Sequence, residues 1–581
     1  MALRLGLGLG LGRKLPGGSL SSSSPITIDL QTSRISGVAP LSVFFDASGT
    51  TCTGIARPFH HLGYTWNFDD AGSLLPTANG PLAAHVFDAP GTYDVAVTVV
   101  DENGDTTNDT VTVTVTDPDT VFAGTDTICF SNSGTFTGAP SGCTQVTTSS
   151  FDTALTYAGN GKRLLFARGD TFTSVSPGTV NITTGPASFG AFGTGTSPDE
   201  RGIFTNNPVI SCQRGSDFET AFAWYGTDIR VCDLTFVEGD TEAQTCSALN
   251  TVGRCVDTLV HRCKTSGFRT SMGYSHDLME ALSLDPHEAN TISQCWFEDS
   301  RVTTTYCGGH RLAFLGNFYD TNLSSHLCRV TFAQQMVVHG NRLEYPGATR
   351  HALKVHAAQT KATYGDYTEQ VVITENRVTA NGAAWPIALA PEDGGPNDDE
   401  RLRDVIVDRN IVIAEDGVQI GVYLGAIQST VRNLVVTRPE GWAAASLQGV
   451  WVVKRGTNSP TPSEIEIYGV TLNDESPGAT TLSALFLETG NYTGSALLKL
   501  YNCIVNAPGA TELDVYGGGD SDVDSQGNVI GGTFNFTDTS LLDFHPEAGS
   551  DALGAGVSVP NFYDFDGTTR AHADAGAYER A

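Results

Sequence analysis

Thr291-Ile-Ser-Gln-Cys295, Leu312-Ala-Phe-Leu-Gly-Asn317, Val337-Val-His-Gly-Asn341 and Val372-Ile-Thr-Glu-Asn376 are short apolar runs that each end in a small polar residue. Val405-Ile-Val-Asp-Arg-Asn410, Thr430-Val-Arg-Asn433 and Leu498-Lys-Leu-Tyr-Asn502 repeat the pattern, and Leu259-Val-His-Arg-Cys263 extends it upstream. From 263 to 433 the end positions are 32, 22, 24, 35, 34 and 23 residues apart. The gap of 69 before Asn502 fits two coils, with Ile465-Glu-Ile-Tyr-Gly469 between them. Such spacing suits a parallel β-helix, whose coils each give two or three short strands and stack equivalent positions about 4.8 Å apart. An asparagine at the same turn of each coil can pass side-chain hydrogen bonds to its neighbours and satisfy bent backbone that would otherwise be buried unpaired.

Outward from this ladder, the bulk sequence agrees. A chain of 581 residues exceeds a single core. Its 64 glycines, with abundant Thr, Val, Asn and Asp and no long Ala/Leu/Glu/Lys-rich stretch, make it all-β. Lys and Arg number 33 against 64 Asp and Glu, a net charge of −31 that disfavours nucleic acid and anionic lipid as partners. No apolar run is long enough for a membrane-spanning helix. The twelve cysteines form no C-x-x-C pair and are expected as reduced core thiols, with the pairing of Cys129 and Cys143 left open.

Residues 26–117 have a different texture. Tyr93, Val95, Val97 and Val99 alternate with other residues before Asp101-Glu102-Asn103-Gly104, and Val111, Val113 and Val115 resume the alternation, which predicts a hairpin with one buried face. Gly37-Val-Ala-Pro-Leu41, Tyr64-Thr-Trp-Asn-Phe-Asp-Asp70 and His85-Val-Phe-Asp-Ala-Pro-Gly-Thr-Tyr93 resemble, in order, the three hallmark segments of a PKD domain. The resemblance implies an immunoglobulin-like β-sandwich acting as a non-catalytic spacer. Asp69 stands where the family usually has glycine.

Residues 120–581 resemble the pectate-lyase-like right-handed parallel β-helix superfamily. Arg163-Leu-Leu-Phe-Ala-Arg-Gly-Asp-Thr-Phe172 and Gly190-Ala-Phe-Gly-Thr-Gly195 are similar to its opening coils. Asp564-Phe-Asp-Gly-Thr-Thr-Arg570 and Asp574-Ala-Gly-Ala-Tyr-Glu579 are similar to its endings. The expected division is a leader at 1–25, a PKD sandwich at 26–117, opening and capping coils at 118–200, the β-helix at 201–545 and a closing segment at 546–581. The leader, MALRLGLGLGLGRKLPGG, resembles Gly/Leu-rich leaders of phage virion proteins and lacks a signal-peptide cleavage site.

Candidate chemistry follows from the ladder. Three residues beyond Cys295, Asn317 and Asn341 lie Glu298, Asp320 and Glu344. Phe297, Tyr319 and Leu343 precede them and read as inward, so the acids point outward together with Trp296, Phe318 and Arg342. Neighbouring acids would stand about 5 Å apart and the outer two about 10 Å, matching respectively a retaining pair and the upper limit of an inverting pair of glycosidase carboxylates. The aromatic rings would offer stacking faces to sugars. The competing readings are a solvated acidic face or a structural Ca²⁺ site, and no other cofactor is implied. Histidines cluster as well, at 276, 287, 310, 326, 339, 351 and 356. Within Arg350-His-Ala-Leu-Lys-Val-His356, Lys354, His356 or Arg350 could serve a β-elimination lyase as base or carboxylate-neutralising cation, with His310 and Trp385 as further glycan contacts. The loops 363–367 and 385–400 would wall such a site.

Three functions follow as expectations. The first is a phage tailspike, fibre or decoration protein docked through its leader and binding host surface polysaccharide, with a homotrimer implied by the resemblance. The second is a polysaccharide lyase or glycoside hydrolase, free or on such a spike. The third is a bacterial surface adhesin, which would carry a signal peptide and an oxidised Cys129–Cys143 pair.

Overall fold

The computed structural model describes residues 26–580 except 177, 214–219, 240–245, 276–278, 280–281, 283, 358–366, 383, 392–399, 443–445, 455–458, 477–481, 489–497, 508–509, 517–522, 561–562 and 571–573. The leader, His276 and most of the two loops at 363–367 and 385–400 therefore lie outside the described residues.

From Thr127 onward the chain winds as a right-handed parallel β-helix with three sheet faces. The first sheet stacks strands such as Thr291–Ser293, the C-terminal half of Thr305–Leu315, Thr368–Thr374 and Leu402–Asp408. The second stacks Trp296–Ser300, Phe318–Asn322, Arg342–Glu344, Arg377–Ala380 and Ile411–Ala414. The third stacks Thr270–Tyr274, His351–Val355, Trp385–Leu389 and Ile420–Leu424. Inward side chains of all three merge into one core that includes Phe297, Tyr319, Leu343, Val378 and Val412. At its N-terminal end the short helix Phe151–Leu155 pushes Phe151 against Phe166, Phe222 and Phe236.

The corner between first and second sheets is turned by one residue in left-handed conformation, followed by the inward ladder residue. Asn341 shows the pattern. Its Nδ2 donates to Phe314 O at 2.9 Å and to Asn376 Oδ1 at 2.9 Å, while its Oδ1 accepts from the Asn317 N–H at 2.8 Å. The chain of bonds runs unbroken from the Cys295 N–H through Asn317, Asn341 and Asn376 to Asn410. Beyond that point the sequence register slips by one. Ile411 pairs with Val435 and Ile504 with Val529, so the inward positions are Leu434 and Cys503. Asn433 and Asn502 occupy the left-handed position ahead of them, with φ of 49° and 58°. Asparagine suits both places, because its short amide also tolerates positive φ.

The twelve cysteines are free thiols, eleven of them buried, and Cys263 and Cys295 stack inside as the ladder requires. Cys129 and Cys143 are unbridged. Among the described residues, the chain beyond Val529–Ile530 adds no coil. It folds back over the second sheet, where Phe544 and Tyr578 pack on Val435, and Ala552 and Ala575 pack on Ile504.

Residues 26–117 form the expected sandwich. A five-stranded sheet contains the hairpin of Gly91–Val100 and Thr106–Thr116, and a three-stranded sheet contains Leu41–Asp46 and Leu82–Phe87. Trp66 lies buried at the centre, donating to Gly80 O at 2.8 Å. Asp69 takes the family glycine's place without changing the turn's handedness: its φ is +55°, and its carboxylate accepts from the Asp94 N–H at 3.2 Å.

This domain is not a spacer in series with the β-helix; it lies along its side. Phe44, Leu82, Ala84 and Val86 pack on the outward residues Leu259, Ala313, Leu315, Val337, Val372 and Ile406 of the first sheet. Gly80 is needed there, since a Cβ would come within 2.8 Å of Val372 Cγ1. Polar contacts frame the apolar strip. Arg230 donates to Val38 O and Pro40 O, both at 2.9 Å, and Asp228 pairs with Arg34 at 2.6 Å. Asp88 meets His261 at 3.0 Å and Arg262 at 2.7 Å. At the far end His61 meets Glu466 at 2.7 Å. From Asp228 to Glu466 the domain spans nine coils, about 40 Å.

Two expectations can be measured. Replacing Asn376 by Leu strands the Asn341 N–H and the Val338 carbonyl, which at about 1–3 kcal/mol each should lower the thermal unfolding midpoint by several degrees; an unchanged midpoint would show that the ladder is incidental. The second concerns His60, whose Nδ1 lies 3.0 Å from Thr430 Oγ1 and whose Nε2 lies 3.3 Å from Asp404 Oδ1. Burial lowers its pKa from 6.5 to about 4, against the pull of Asp404. The folded state therefore binds fewer protons than the unfolded, so its stabilisation is full above pH 6.5 and is lost as pH falls toward 4. His60→Gln should flatten the pH dependence of melting across that window by on the order of 3 kcal/mol. His85 and His339, also lowered by burial, leave a residual slope of the same sign.

Candidate active site

The second sheet carries two outward columns in exact strand register. One reads Lys264, Trp296, Phe318, Arg342 and Arg377. The other reads Ser266, Glu298, Asp320, Glu344 and Thr379, with Phe297, Tyr319 and Leu343 buried between them. The acids thus line up as their offset from the ladder implies.

Along these columns the environment changes. At the upstream end Lys264 Nζ lies 3.0 Å from Glu298 Oε1 and 3.6 Å from the Trp296 ring centre. Arg201, reaching over from the loop after the opening coils, covers Trp296 at 4.5 Å and Phe318 at 4.7 Å. Arg342 sits 5.0 Å from the Phe318 ring centre. The two rings are therefore already faced by cations, and Phe318 is only 9% exposed. Neither presents the open stacking face read from the sequence.

Downstream the sheet opens into a groove of about 730 Å³, walled on one side by residues 539–542 of the returning C-terminal segment. Arg342, Glu344, Tyr345, Arg377, Thr379, Glu415, Glu440 and Glu475 line it. Arg342 Nε donates to Glu344 Oε1 at 2.5 Å, which holds that carboxylate in an ion pair. The Tyr345 hydroxyl donates to Glu415 Oε1 at 3.3 Å. Burial raises the Glu415 pKa, and the Glu344 charge adds to the rise while the Tyr345 bond opposes it. Burial together with the Glu415 and Glu344 charges raises Tyr345 as well. Two carboxylates thus share one groove in different surroundings. Glu344 was marked by the ladder. Glu415 was not, because the positions equivalent to Glu344 on the next coils are Thr379 and Ile413, and Glu415 follows the strand Ile411–Ala414 in a turn.

Among the described residues, the histidine cluster does not form one site. His339 is buried beneath the PKD domain's side of the first sheet, and His287 accepts from the Cys255 N–H inside the core. His310 lies at another corner, 3.6 Å from Glu288. Only the group around Arg350 assembles, on the third sheet. His351 stacks on Trp385 at 5.3 Å and lies 4.9 Å from His326, and Arg329 donates to His356 Nε2 at 3.2 Å. His356 Nδ1 lies 3.2 Å from Glu400 Oε1, so both ring nitrogens are engaged and neither is placed as a base. Burial, then neighbouring cations including Lys354 and Arg350, pushes His351 down to about 3 and His326 to about 2, keeping both neutral at ordinary pH. Trp385 stacks on Tyr423 at 4.3 Å, so one of its faces packs against its own sheet. This group is on a different face from the acid groove.

Among the described residues, the one cluster with three metal-type ligands is Cys212, Glu238 and Cys246, whose ligand atoms lie within 4.8 Å of one another. Its Glu238 ends the strand Thr235–Glu238, which pairs with Lys264–Ser266 just upstream of the acid columns, and its two thiols suit a softer ion than calcium.

Fold and site together define a PKD domain docked on a right-handed parallel β-helix with an outward carboxylate groove. Residues 38–116 match the PKD domain family. No curated protein matches the chain. Among solved structures, one described as carbohydrate-binding modules from the β-sandwich superfamily is 24% identical over 16% of this chain, with a TM-score of 0.14, and this chain covers only 34% of its length. DFA-IIIase from Arthrobacter chlorophenolicus A6, in complex with DFA-III, is 12% identical, with 69% of this chain and 98% of that one covered and a TM-score of 0.38. The family 28 exopolygalacturonase of Yersinia enterocolitica is 11% identical, with 87% and 99% covered and a TM-score of 0.32.

Proposed function

We propose that the protein is a polysaccharide-binding glycoside hydrolase that works in the second-sheet groove by inversion. The observation that supports this most is the placing of Glu344 and Glu415 in one groove, the first ion-paired with Arg342 and the second shifted toward its protonated form. Pairs of carboxylates whose environments separate their acidities are what glycosidic cleavage uses. Strand Arg342–Glu344 and the strand Ile411–Ala414 that leads into Glu415 are two coils apart, on the order of 10 Å of backbone, a spacing that suits a water held between two carboxylates, as inversion needs.

In this reading the Glu415 carboxylic acid gives its proton to the glycosidic oxygen as the bond to the anomeric carbon breaks. Glu344 takes a proton from a water that attacks that carbon from the opposite face. Arg342 fixes the Glu344 carboxylate, and Tyr345 fixes Glu415. The products are two sugar chains, one with a new reducing end, and solvent resets both protons. The setting on a phage particle, with residues 1–25 as docking tail, is a further part of the proposal whose support is the leader's composition; three copies about one axis belong to it only through the resemblance to β-helix spikes.

The test is a reducing-end assay over a panel of bacterial capsular and exopolysaccharides, with ultraviolet detection of unsaturated uronates alongside. Glu344→Gln and Glu415→Gln should each lower cleavage roughly 100-fold or more while leaving the melting midpoint near that of the parent. Activity should fall as pH rises through the Glu415 pKa, above the ordinary glutamate range. Unsaturated products, or cleavage that survives both substitutions, would sink the hydrolase assignment.

A further inference from the structure

Val209–Cys212 and Thr235–Glu238 are neighbouring second-sheet strands, paired in parallel with Cys212 opposite Glu238. Two residues earlier Ile210 and Phe236 point into the core, so strand alternation turns Cys212 and Glu238 inward as well. An apolar side chain would satisfy the core there; a thiol and a carboxylate stand in its place. Cys246 arrives from the other side of the corner, just before Ser247–Val256, whose first residue pairs with Thr270 of the third sheet. Three segments on two coils thus converge at the seam between the second and third sheets.

Cys212 Sγ lies 3.0 Å from Cys246 Sγ, and both residues are fully buried. The two sulfurs and a Glu238 carboxylate oxygen all lie within 4.8 Å of one another. Sulfurs at 3.0 Å are nearer than ordinary contact, yet well outside the roughly 2.05 Å of a disulfide. A tetrahedral ion about 2.3 Å from each would hold them about 3.8 Å apart, which asks the side chains to part by less than about 1 Å. Glycines keep the site uncrowded. On the downstream coil the place beside Glu238 belongs to Gly267, where a Cβ would stand 3.3 Å from Glu238 Cβ. Gly239 closes the backbone over Cys212: its N–H donates to Cys212 O at 2.7 Å, and a Cβ would meet Ser211 Oγ at 2.5 Å. On the upstream coil Ser174, opposite Cys212, settles its hydroxyl on Ala221 O at 3.1 Å.

We propose that Cys212, Glu238 and Cys246 bind one zinc-class ion, a borderline-soft divalent metal, as a structural pin between the second and third sheets. Two thiolates and a carboxylate oxygen match what zinc takes from proteins, and a water completes four ligands. Each thiol gives its proton to solvent as the ion enters, so three negative charges face the ion's two positive ones. A disulfide between the same sulfurs would make no use of the inward carboxylate. The donors come together only when both coils are in register, so binding the ion adds to folding stability. It fixes Thr235–Glu238, the strand against which Lys264–Ser266 and then the acid columns are laid.

Cobalt(II) titration of the full chain, reduced and freed of metal under argon, tests it. About one equivalent should bind with a thiolate-to-cobalt charge-transfer band, at a Kd of about 1 µM or below. Zinc should displace the cobalt and raise the melting midpoint by several degrees. Cys246→Ala should abolish the band. Because that thiol is buried, Glu238→Gln provides a second variant that keeps both thiols and nearly the same shape. It should retain the band and weaken cobalt binding about tenfold or more. Cys143→Ser, in the Cys129–Cys143 pair at the N-terminal end of the rod, should change neither. A folded parent without the band, a band that survives Cys246→Ala, or cobalt binding that Glu238→Gln moves by less than about twofold would overturn the inference. So would a Cys212–Cys246 disulfide in the chain purified under argon. The cleavage assay decides the groove independently of each.

Discussion

A coil that turns a sharp corner buries backbone N–H and carbonyl groups that no strand neighbour can reach, and each must find a partner. Asparagine solves this by being a donor and an acceptor in one short side chain. In the stretch from Cys295 to Asn410 each amide joins its own corner to the one before and the one after. Everything else depends on the strict registration this imposes. Because the corner cannot slip, the outward columns beyond it cannot slip either, and side chains three residues on are brought into line over successive coils.

That dependence explains what could be read from residues alone. The column of Glu298, Asp320 and Glu344 follows from the corner by counting, since strands have a period of two and the corner is fixed. The counting failed where chemistry is ambiguous: Asn433 and Asn502 satisfy a left-handed turn as readily as an inward ladder, and nothing local distinguishes the roles. Glu415 was invisible for another reason. It lies past the end of its strand, where offset from the corner no longer fixes direction, and its link to Tyr345 joins residues 70 apart in sequence.

The docking of the PKD domain was equally out of reach of motif reading, because a family resemblance describes a module and not its neighbour. A trace of it is nonetheless present. Leu41–Asp46 and Leu82–Phe87 are buried at every position, where a strand with one solvent face would alternate. Phe44, Leu82, Ala84 and Val86 are surplus to the sandwich's own core and answer the apolar outward residues of the first sheet. Buried arginines such as Arg230 then find carbonyls across the interface rather than within either module.

Lateral docking also alters how the molecule carries load. A module strung end to end with a rod transmits a pull through a single covalent linker, and the rod's terminal coils peel one after another. Here the contact between PKD domain and rod runs parallel to the rod's long axis across nine coils, so an axial force is resisted in shear by the whole strip at once. The coils from 228 to 466 behave as a splinted segment, while the coils nearer 500 lie beyond the splint and are backed by the returning C-terminal segment alone. Mechanical failure should therefore begin in the coils outside that span, at either end of the rod, and stop at the splint.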